Sequence, residues 1–281
     1  MKKFENIYIA SDIDGTFLWD GKYVNPRNIE KIKYFTENGG HFAFSTGRNQ
    51  FDASEVLPFW RDICNMPCIF CNGSMLYDAA TDRILNPQYI LPEDKAAEVF
   101  HTVWEKFSYF AGVRATTSRG FLIYEEDEIM NRIFTSNGYI KISEVLPLSK
   151  IDGKDFFKIV VDTGVERRNE VQDVLYQIYG NIFELTYSAP NLVEIQPKGV
   201  SKAFQINYLK EQIQNDNHNA QFWCIGDYEN DFNMLRAADM AACPENATDH
   251  IKSIAQIITC HCRDGALADM IEKIEEKIEQ S

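Results

Sequence analysis

The chain has 281 residues, and 28 Lys and Arg against 42 Asp and Glu leave a formal charge of −14 at pH 7. With 45% hydrophobic and 25% charged residues, the composition is that of an ordinary globular protein and excludes disordered, collagenous and coiled-coil classes. The acidic balance argues against a nucleic-acid partner, which requires clustered Lys and Arg.

Met1-Lys2-Lys3 runs directly into Phe4-Glu5-Asn6, without an apolar leader, and no window approaches the ~20 apolar residues of a membrane span. The sequence therefore predicts a soluble, cytoplasmic protein with no membrane partner. Its seven cysteines read as free thiols in a reducing compartment, because the number is odd and a chain of this length needs no disulfide staples. Neither Cys64/Cys68/Cys71 nor Cys260-His261-Cys262 has the paired CxxC spacing of a structural zinc site.

In chain order, Ile7 to Ala10 predicts a strand that stops at Ser11-Asp12-Ile13-Asp14-Gly15-Thr16. A helix follows Pro26 and ends at Asn38-Gly39-Gly40, where glycine terminates it. His41 to Phe44 predicts a second strand ending in Ser45-Thr46-Gly47-Arg48, and Cys68 to Cys71 a third ending in Asn72-Gly73. The middle has a different rhythm. Leu91 to Phe107 reads as a helix and Tyr109–Thr116 with Gly120–Glu125 as a hairpin. Phe156–Val161 reads as a strand, Glu166 to Tyr179 as a helix, and Phe183–Tyr187 with Leu192–Ile195 as another hairpin. The strand-helix alternation then resumes, with a helix over Lys202 to Ile213, a strand over Phe222 to Ile225 and a helix over Asn230 to Ala238. Short strands at Met240–Cys243 and Ile257–Thr259 precede an amphipathic closing helix on which Leu267, Met270, Ile271, Ile274 and Ile278 share one face. The expected architecture is α/β, a doubly wound parallel sheet over residues 1–84 plus 190–281, with an α+β domain inserted over 85–189. Ligands of such sheets bind beyond the carboxyl ends of the strands, where the unusual residues fall.

Asp12 and Asp14, two apart in extended chain, project to one side of a strand end. Paired carboxylates at one point need a proton or a hard, oxygen-liganded cation such as Mg²⁺. Ser45-Thr46-Gly47-Arg48 offers a hydroxyl and backbone N–H groups at an expected helix start, either as a phosphate seat or as an ordinary N-cap. Lys202 at the beginning of a helix is opposed by the helix dipole, which an anionic partner would explain. Gly226-Asp227-Tyr228-Glu229-Asn230-Asp231 supplies more acidic and amide groups than helix capping needs.

Taken in order, Asp12-Ile13-Asp14-Gly15-Thr16, Ser45-Thr46-Gly47-Arg48, Gly199-Val200-Ser201-Lys202 and Gly226-Asp227-x-x-Asn230-Asp231-x-x-Met234 resemble the haloacid dehalogenase superfamily, and within it the Cof-type sugar-phosphatase branch. Asn72-Gly73, Glu245-Asn246-Ala247 and Asp264-Gly265-Ala266 match that branch too. Trp19 stands where the family usually has a smaller residue. The resemblance covers the core; the insert matches in position and rhythm, without a transferable motif.

The resemblance implies a Rossmann-like core with a cap that selects the substrate. It also implies a Mg²⁺-dependent phosphatase acting on a small phosphorylated metabolite, a sugar phosphate, through an aspartyl-phosphate. Asp12 would be the nucleophile, Asp14 the general acid and base, and Thr46 and Lys202 the groups holding and neutralising the phosphoryl oxygens. Mg²⁺ would be bound by Asp12, the Asp14 carbonyl and Asp227, with Asp231 supporting Lys202 or the metal. Gly47, Arg48, Asn72, Gly73 and Asn230 are the substrate-binding candidates, and Lys198 competes with Lys202 for the lysine role. A phosphomutase of the same superfamily and a non-catalytic phosphometabolite-binding protein are the alternatives. Arg114, Arg119, Tyr124 and Tyr187 in the insert receive no role, and the oligomeric state is not legible.

Overall fold

The first predicted strand, Ile7–Ser11, is a continuous apolar and β-branched run whose five residues are all buried, as a strand covered on both faces requires. In the computed structural model, which describes residues 2–86, 89–137 and 142–280, it lies inside a parallel five-stranded sheet. The strand order is Ile257–Thr259, Met240–Pro244, Gln221–Ile225, Ile7–Ser11 and His41–Phe44. Chain order crosses over at Ile7–Ser11, with His41–Phe44 to one side and the later strands to the other. The carboxyl ends of these central strands therefore form the switch point of a doubly wound sheet. Cys68–Phe70 continues past His41–Phe44 through a parallel bridge between Ser45 and Ile69, then turns into an antiparallel hairpin of Met75–Asp78 and Arg83–Ile84.

Helices cover the sheet for the reasons written in their ends. Pro26–Glu37 starts with Pro at its first position, with the Asn25 side chain accepting the Arg27 N–H, and buries Ile32 and Phe35. Lys202–Asp216 is capped by Ser201, whose hydroxyl accepts the Phe204 N–H. Ala266–Glu279 buries Leu267, Met270, Ile271 and Ile274. Fully buried Phe42, Phe44, Trp60, Phe70 and Trp223 fill this core, each contributing about 1.5–3 kcal/mol by leaving water.

The chain divides into two compact units, Met1–Thr46 with Leu57–Leu85 and Ser201–Ser281, and Gly47–Val56 with Asn86–Val200. These boundaries differ from the expected 84/85 and 189/190. The strand Leu192–Pro197 pairs with Lys158–Asp162 and Phe183–Thr186, which delays the return to the first unit until Ser201. Gly47–Val56 joins the second unit because the Gly47 carbonyl accepts the Lys158 ammonium at 2.7 Å and Gln50 Nε2 donates to the Ser118 carbonyl at 3.1 Å.

The second unit is a six-stranded sheet in the order Ile142–Leu146, Gly120–Tyr124, Gly112–Thr117, Lys158–Asp162, Leu192–Pro197 and Phe183–Thr186. Among the described residues, only the Ile142–Leu146 strand pairs in parallel, with Gly120–Tyr124. Both expected hairpins form, as Gly112–Thr117 with Gly120–Tyr124 and Phe183–Thr186 with Leu192–Pro197. Glu93–Phe107 and Arg168–Tyr179 pack apolar residues such as Phe100, Val103 and Leu175 against one face through Val113, Ile159, Val161 and Ile195. The sequence reading passed over the Glu128–Asn137 helix and the Ile142–Leu146 strand.

The third predicted strand is one residue too long. Cys71, Asn72 and Gly73 all have positive φ, at 52°, 53° and 107°, and form a buried one-turn helix after Cys68–Phe70. The turn is pressed on the start of the Lys202 helix: Gln205 Nε2 donates to the Gly73 carbonyl at 2.7 Å, and a Cβ on Gly73 would stand 2.2 Å from the Ser201 carbonyl oxygen. Gly73→Ala is expected to lower the unfolding free energy by about 1–3 kcal/mol, combining a left-handed backbone with a clash against main chain. Urea denaturation measures this, and an unchanged midpoint at constant m would show that the turn yields.

Candidate active site

Four chain segments meet within the first unit at the carboxyl ends of its central strands. Asp12 follows Ile7–Ser11 and continues its ladder, its N–H donating to the Ile225 carbonyl at 2.9 Å. The chain then reverses tightly, with the Gly15 and Leu18 N–H groups donating to the Leu18 and Ile13 carbonyls. Gly15 has φ 75°, and a Cβ there would stand 2.3 Å from Asp227 Oδ2. Thus glycine lets the two acidic segments approach. The Asn246 amide donates to the Gly15 carbonyl at 2.7 Å and accepts the Cys262 N–H at 2.9 Å, bracing the turn from behind.

Lys202 is 1% exposed and donates to Asp12 Oδ1 at 2.7 Å and to Asp231 Oδ1 at 2.6 Å. Asp231 is fully buried, and its Oδ2 accepts the N–H groups of Asp227 and Tyr228 at 3.1 and 3.3 Å. Thr16 Oγ1 donates to Asp227 Oδ1 at 2.8 Å. Burial pushes the Lys202 ammonium down, but Asp12 and Asp231 outweigh it and hold the group above its ordinary value. Burial pushes Asp12 well above the carboxylate range; Lys202 opposes this, and Asp231, Asp227 and Asp14 add to it. Asp227 is pushed up to about 7 by burial and by Asp231, against the Thr16 hydrogen bond and Lys202.

Carboxylate oxygens of Asp12, Asp227 and Asp231 lie within 4.8 Å of one another, and among the described residues no other His, Cys, Asp or Glu group of this kind forms. Three carboxylates face one ammonium in a buried place. An all-oxygen donor set with surplus negative charge suits a hard cation, so the residues fit Mg²⁺. Asp231, with one oxygen on Lys202 and the other on two amides, is the most committed of the three. The Asp14 carboxylate lies outside the group and is exposed.

The remaining candidates separate into two sets. Thr46 is buried, and its N–H donates to the Ile69 carbonyl at 2.8 Å while its carbonyl accepts the Asn72 N–H at 3.0 Å. The expectation of free N–H groups at a helix start therefore fails for Thr46, because the chain there is still pairing with the next strand. The helix begins only at Gln50. Asn230 Nδ2 donates to Asn72 Oδ1 at 3.2 Å, which joins Asn72, Gly73 and Asn230 to the Lys202 side of the site. Gly47 and Arg48, by contrast, belong to the second unit, where Arg48 Nη1 pairs with Asp52 Oδ1 at 2.8 Å. Lys198 also lies there, donating to the Gly180 carbonyl at 2.8 Å. Lys202, not Lys198, is the lysine of the acidic cluster. Gln205 was absent from the expected set, since a bracing role leaves no spacing signature, and Thr16 and Asn246, though inside the quoted motifs, had received no site role.

A family profile described as haloacid dehalogenase-like hydrolase matches residues 9–271. An HMP-PP phosphatase from Serratia proteamaculans is 24% identical over 268 residues, 94% of this chain and 93% of that protein. A 5-amino-6-(5-phospho-D-ribitylamino)uracil phosphatase from Bacillus subtilis is 24% identical over 254 residues, 89% of this chain and 88% of that protein. The crystal structure of a haloacid dehalogenase-like hydrolase from Bacteroides thetaiotaomicron superposes with a TM-score of 0.79 at 20% identity, covering 95% of this chain and 98% of that one.

Asp231→Asn is expected to destabilise the fold by about 1–3 kcal/mol, because an amide cannot accept from Lys202 and two backbone N–H groups without turning a donor toward one of them. The loss is read from urea or thermal unfolding. Retention of full stability would mean that Asp231 is not the fixed anchor of Lys202.

Proposed function

This chain belongs to the haloacid dehalogenase-like hydrolase family, on its Cof-type branch, and from that premise we propose that it is a phosphatase hydrolysing a small phosphorylated metabolite, a sugar phosphate, through an aspartyl-phosphate intermediate. The observation that carries this reading is the Asp12 carboxylate at a strand end, held by Lys202 at 2.7 Å inside a buried acidic cluster. A buried, oriented carboxylate beside a cation is what a nucleophile toward an anionic phosphorus centre requires. The named activities of the two curated relatives, both phosphatases, support the reaction class.

In the proposed reaction an Asp12 oxygen attacks phosphorus as the bond to the ester oxygen breaks, and the leaving oxygen takes a proton from Asp14. Exposure of Asp14 suits a group that must meet a leaving alcohol and then a water. In the second step Asp14 removes a proton from water as it attacks the aspartyl-phosphate, releasing phosphate and restoring Asp12. Lys202 offsets negative charge on Asp12 and on the phosphoryl oxygens, while Asp231 keeps its ammonium in place. Thr46 and Asn230 are the proposed polar contacts to the phosphoryl group. Mg²⁺, held by Asp12, the Asp14 carbonyl and Asp227, would supply positive charge where two anions approach each other. The second unit, carrying Gly47 and Arg48, is the proposed selector of the organic part.

Inorganic phosphate release from a sugar-phosphate panel with Mg²⁺ tests the reading. Asp12→Asn is expected to abolish turnover, and Asp14→Asn to reduce kcat by about 10²–10⁴ while phosphate still binds. Isomerised sugar phosphate without phosphate release would identify a mutase instead. Removing divalent cations with EDTA should stop hydrolysis and added Mg²⁺ should restore it; undiminished turnover in EDTA would refute the cation assignment.

A further inference from the structure

Both acidic segments of the first unit are tied to one further loop, residues 245–248, between the Met240–Pro244 strand and the Asp249–Lys252 helix. Asn246 Nδ2 donates to the Gly15 carbonyl at 2.7 Å, and the Thr248 N–H donates to the Asp227 carbonyl at 3.1 Å. A single short loop thus grips the chain just after Asp14 and the chain at Asp227. The loop is itself fixed. The Ala247 N–H donates to the Pro244 carbonyl at 2.9 Å, and the Thr248 hydroxyl caps the following helix by accepting the Ile251 N–H at 3.3 Å.

The Gly15 end is where fixing is needed most. Gly15 has φ 75°, and glycine restrains the peptide planes on either side of it least of any residue. The plane before it carries the Asp14 carbonyl and is held by the Gly15 N–H, which donates to the Leu18 carbonyl at 2.9 Å. In the plane after it, the Thr16 N–H reaches the Ile13 carbonyl only at 3.4 Å, so the 2.7 Å bond from Asn246 is the stronger restraint. Thr16 in turn orients Asp227, its Oγ1 donating to Oδ1 at 2.8 Å. The Asn246 amide has no freedom to turn over. Its Oδ1 accepts the Cys262 N–H at 2.9 Å while its Nδ2 meets a carbonyl, and only one orientation satisfies both. Cys262 is fully packed and opens a turn that Asn25 Nδ2 holds through the Arg263 carbonyl at 2.9 Å, so the amide is anchored on the core.

We propose that Asn246 is a positioning residue of the cation site: without touching the ion, it sets the geometry of the Asp12–Thr16 turn relative to Asp227 and thereby the affinity for Mg²⁺. Groups that orient metal ligands from outside the coordination sphere commonly carry 10- to 100-fold of the affinity, about as much as their fixing of ligand geometry supplies. The inference rests on the reading of Asp12, the Asp14 carbonyl and Asp227 as the Mg²⁺ ligands.

Calorimetric titration of Mg²⁺ into the metal-free protein, without substrate, tests it. Asn246→Ala is expected to raise the Kd for Mg²⁺ by about 10- to 100-fold. Asn65→Ala is the matched control. Asn65 also accepts one main-chain N–H, of Phe42 at 2.7 Å, and donates to one carbonyl, of Gly40 at 2.9 Å, but does so at the amino end of the His41–Phe44 strand. It should lower the melting temperature and leave the Mg²⁺ Kd at its wild-type value. Asn246→Asp keeps the acceptor for Cys262 but turns an oxygen toward the Gly15 carbonyl. It should weaken Mg²⁺ binding in spite of its added negative charge, and it decides the matter where Asn246→Ala does not fold. In turnover, the deficit of Asn246→Ala should shrink as Mg²⁺ is raised to saturation, which a general loosening of the fold does not produce. A folded Asn246 variant with the wild-type Kd or a lower one, or an equal rise in Asn65→Ala, overturns the inference alone. No Mg²⁺ binding by the wild type overturns the cation assignment and this inference with it.

Discussion

The constraint on which the first unit depends is a buried ammonium shared by two carboxylates. Lys202 can lie 1% exposed only because Asp12 and Asp231 stand at 2.7 and 2.6 Å, and Asp231 can be fully buried only because Lys202 and two backbone N–H groups satisfy it. Removing any partner leaves a charge without compensation in a place that water does not reach, which is costlier than the pair itself is stabilising. Much local backbone follows from this. Ser201 starts the helix at the residue before Lys202, the Cys71–Gly73 turn takes three positive φ angles where it meets that start, and Gly15 lacks a Cβ so that Asp227 can close in. The strain at Cys71 and Asn72 is the kind that persists only where surrounding contacts over-determine it.

The second unit applies the same rule with a different outcome. Lys158 and Glu194 bury each other, and a second bond of Lys158 goes to the Gly47 carbonyl, which explains why Gly47–Val56 belongs with residues far away in sequence. The residue after Thr46 is thus fixed to one unit while Thr46 itself, through its bonds to Ile69 and Asn72, is fixed to the other.

What the sequence disclosed depended on whether a feature left a periodic or spaced trace. Ile7–Ser11 was legible because burial on both faces demands an unbroken apolar run, and Ala266–Glu279 because one buried face imposes a helical repeat. Asp12, Lys202, Asp227 and Asp231 were legible as carboxylates and a lysine beyond what capping needs. Leu192–Pro197 was seen as a strand, but its membership was not, since β-pairing with Lys158–Asp162 is a long-range choice that local pattern does not encode. Cys71 resembled the strand before it because it is equally buried, and its positive φ has no sequence mark without glycine at that position. Gln205 escaped because a single amide bonding a main-chain carbonyl can come from any loop or helix, and for the same reason the Glu245-Asn246-Ala247 motif was visible without disclosing what Asn246 braces.

A net charge of −14 opposes an anionic ligand in aggregate, yet the site makes the total nearly irrelevant. Charges beyond about 8 Å are largely screened at physiological salt, so the surface acids act weakly on a ligand among buried groups. Within the cluster, three carboxylates and one ammonium leave two negative charges, the amount one divalent cation cancels. The elevated positions of Asp12 and Asp227 express the same deficit, since a buried carboxylate lacking enough positive charge favours a proton. The acidity that counts is therefore local, a deficit of positive charge among buried carboxylates that a hard divalent cation would cancel.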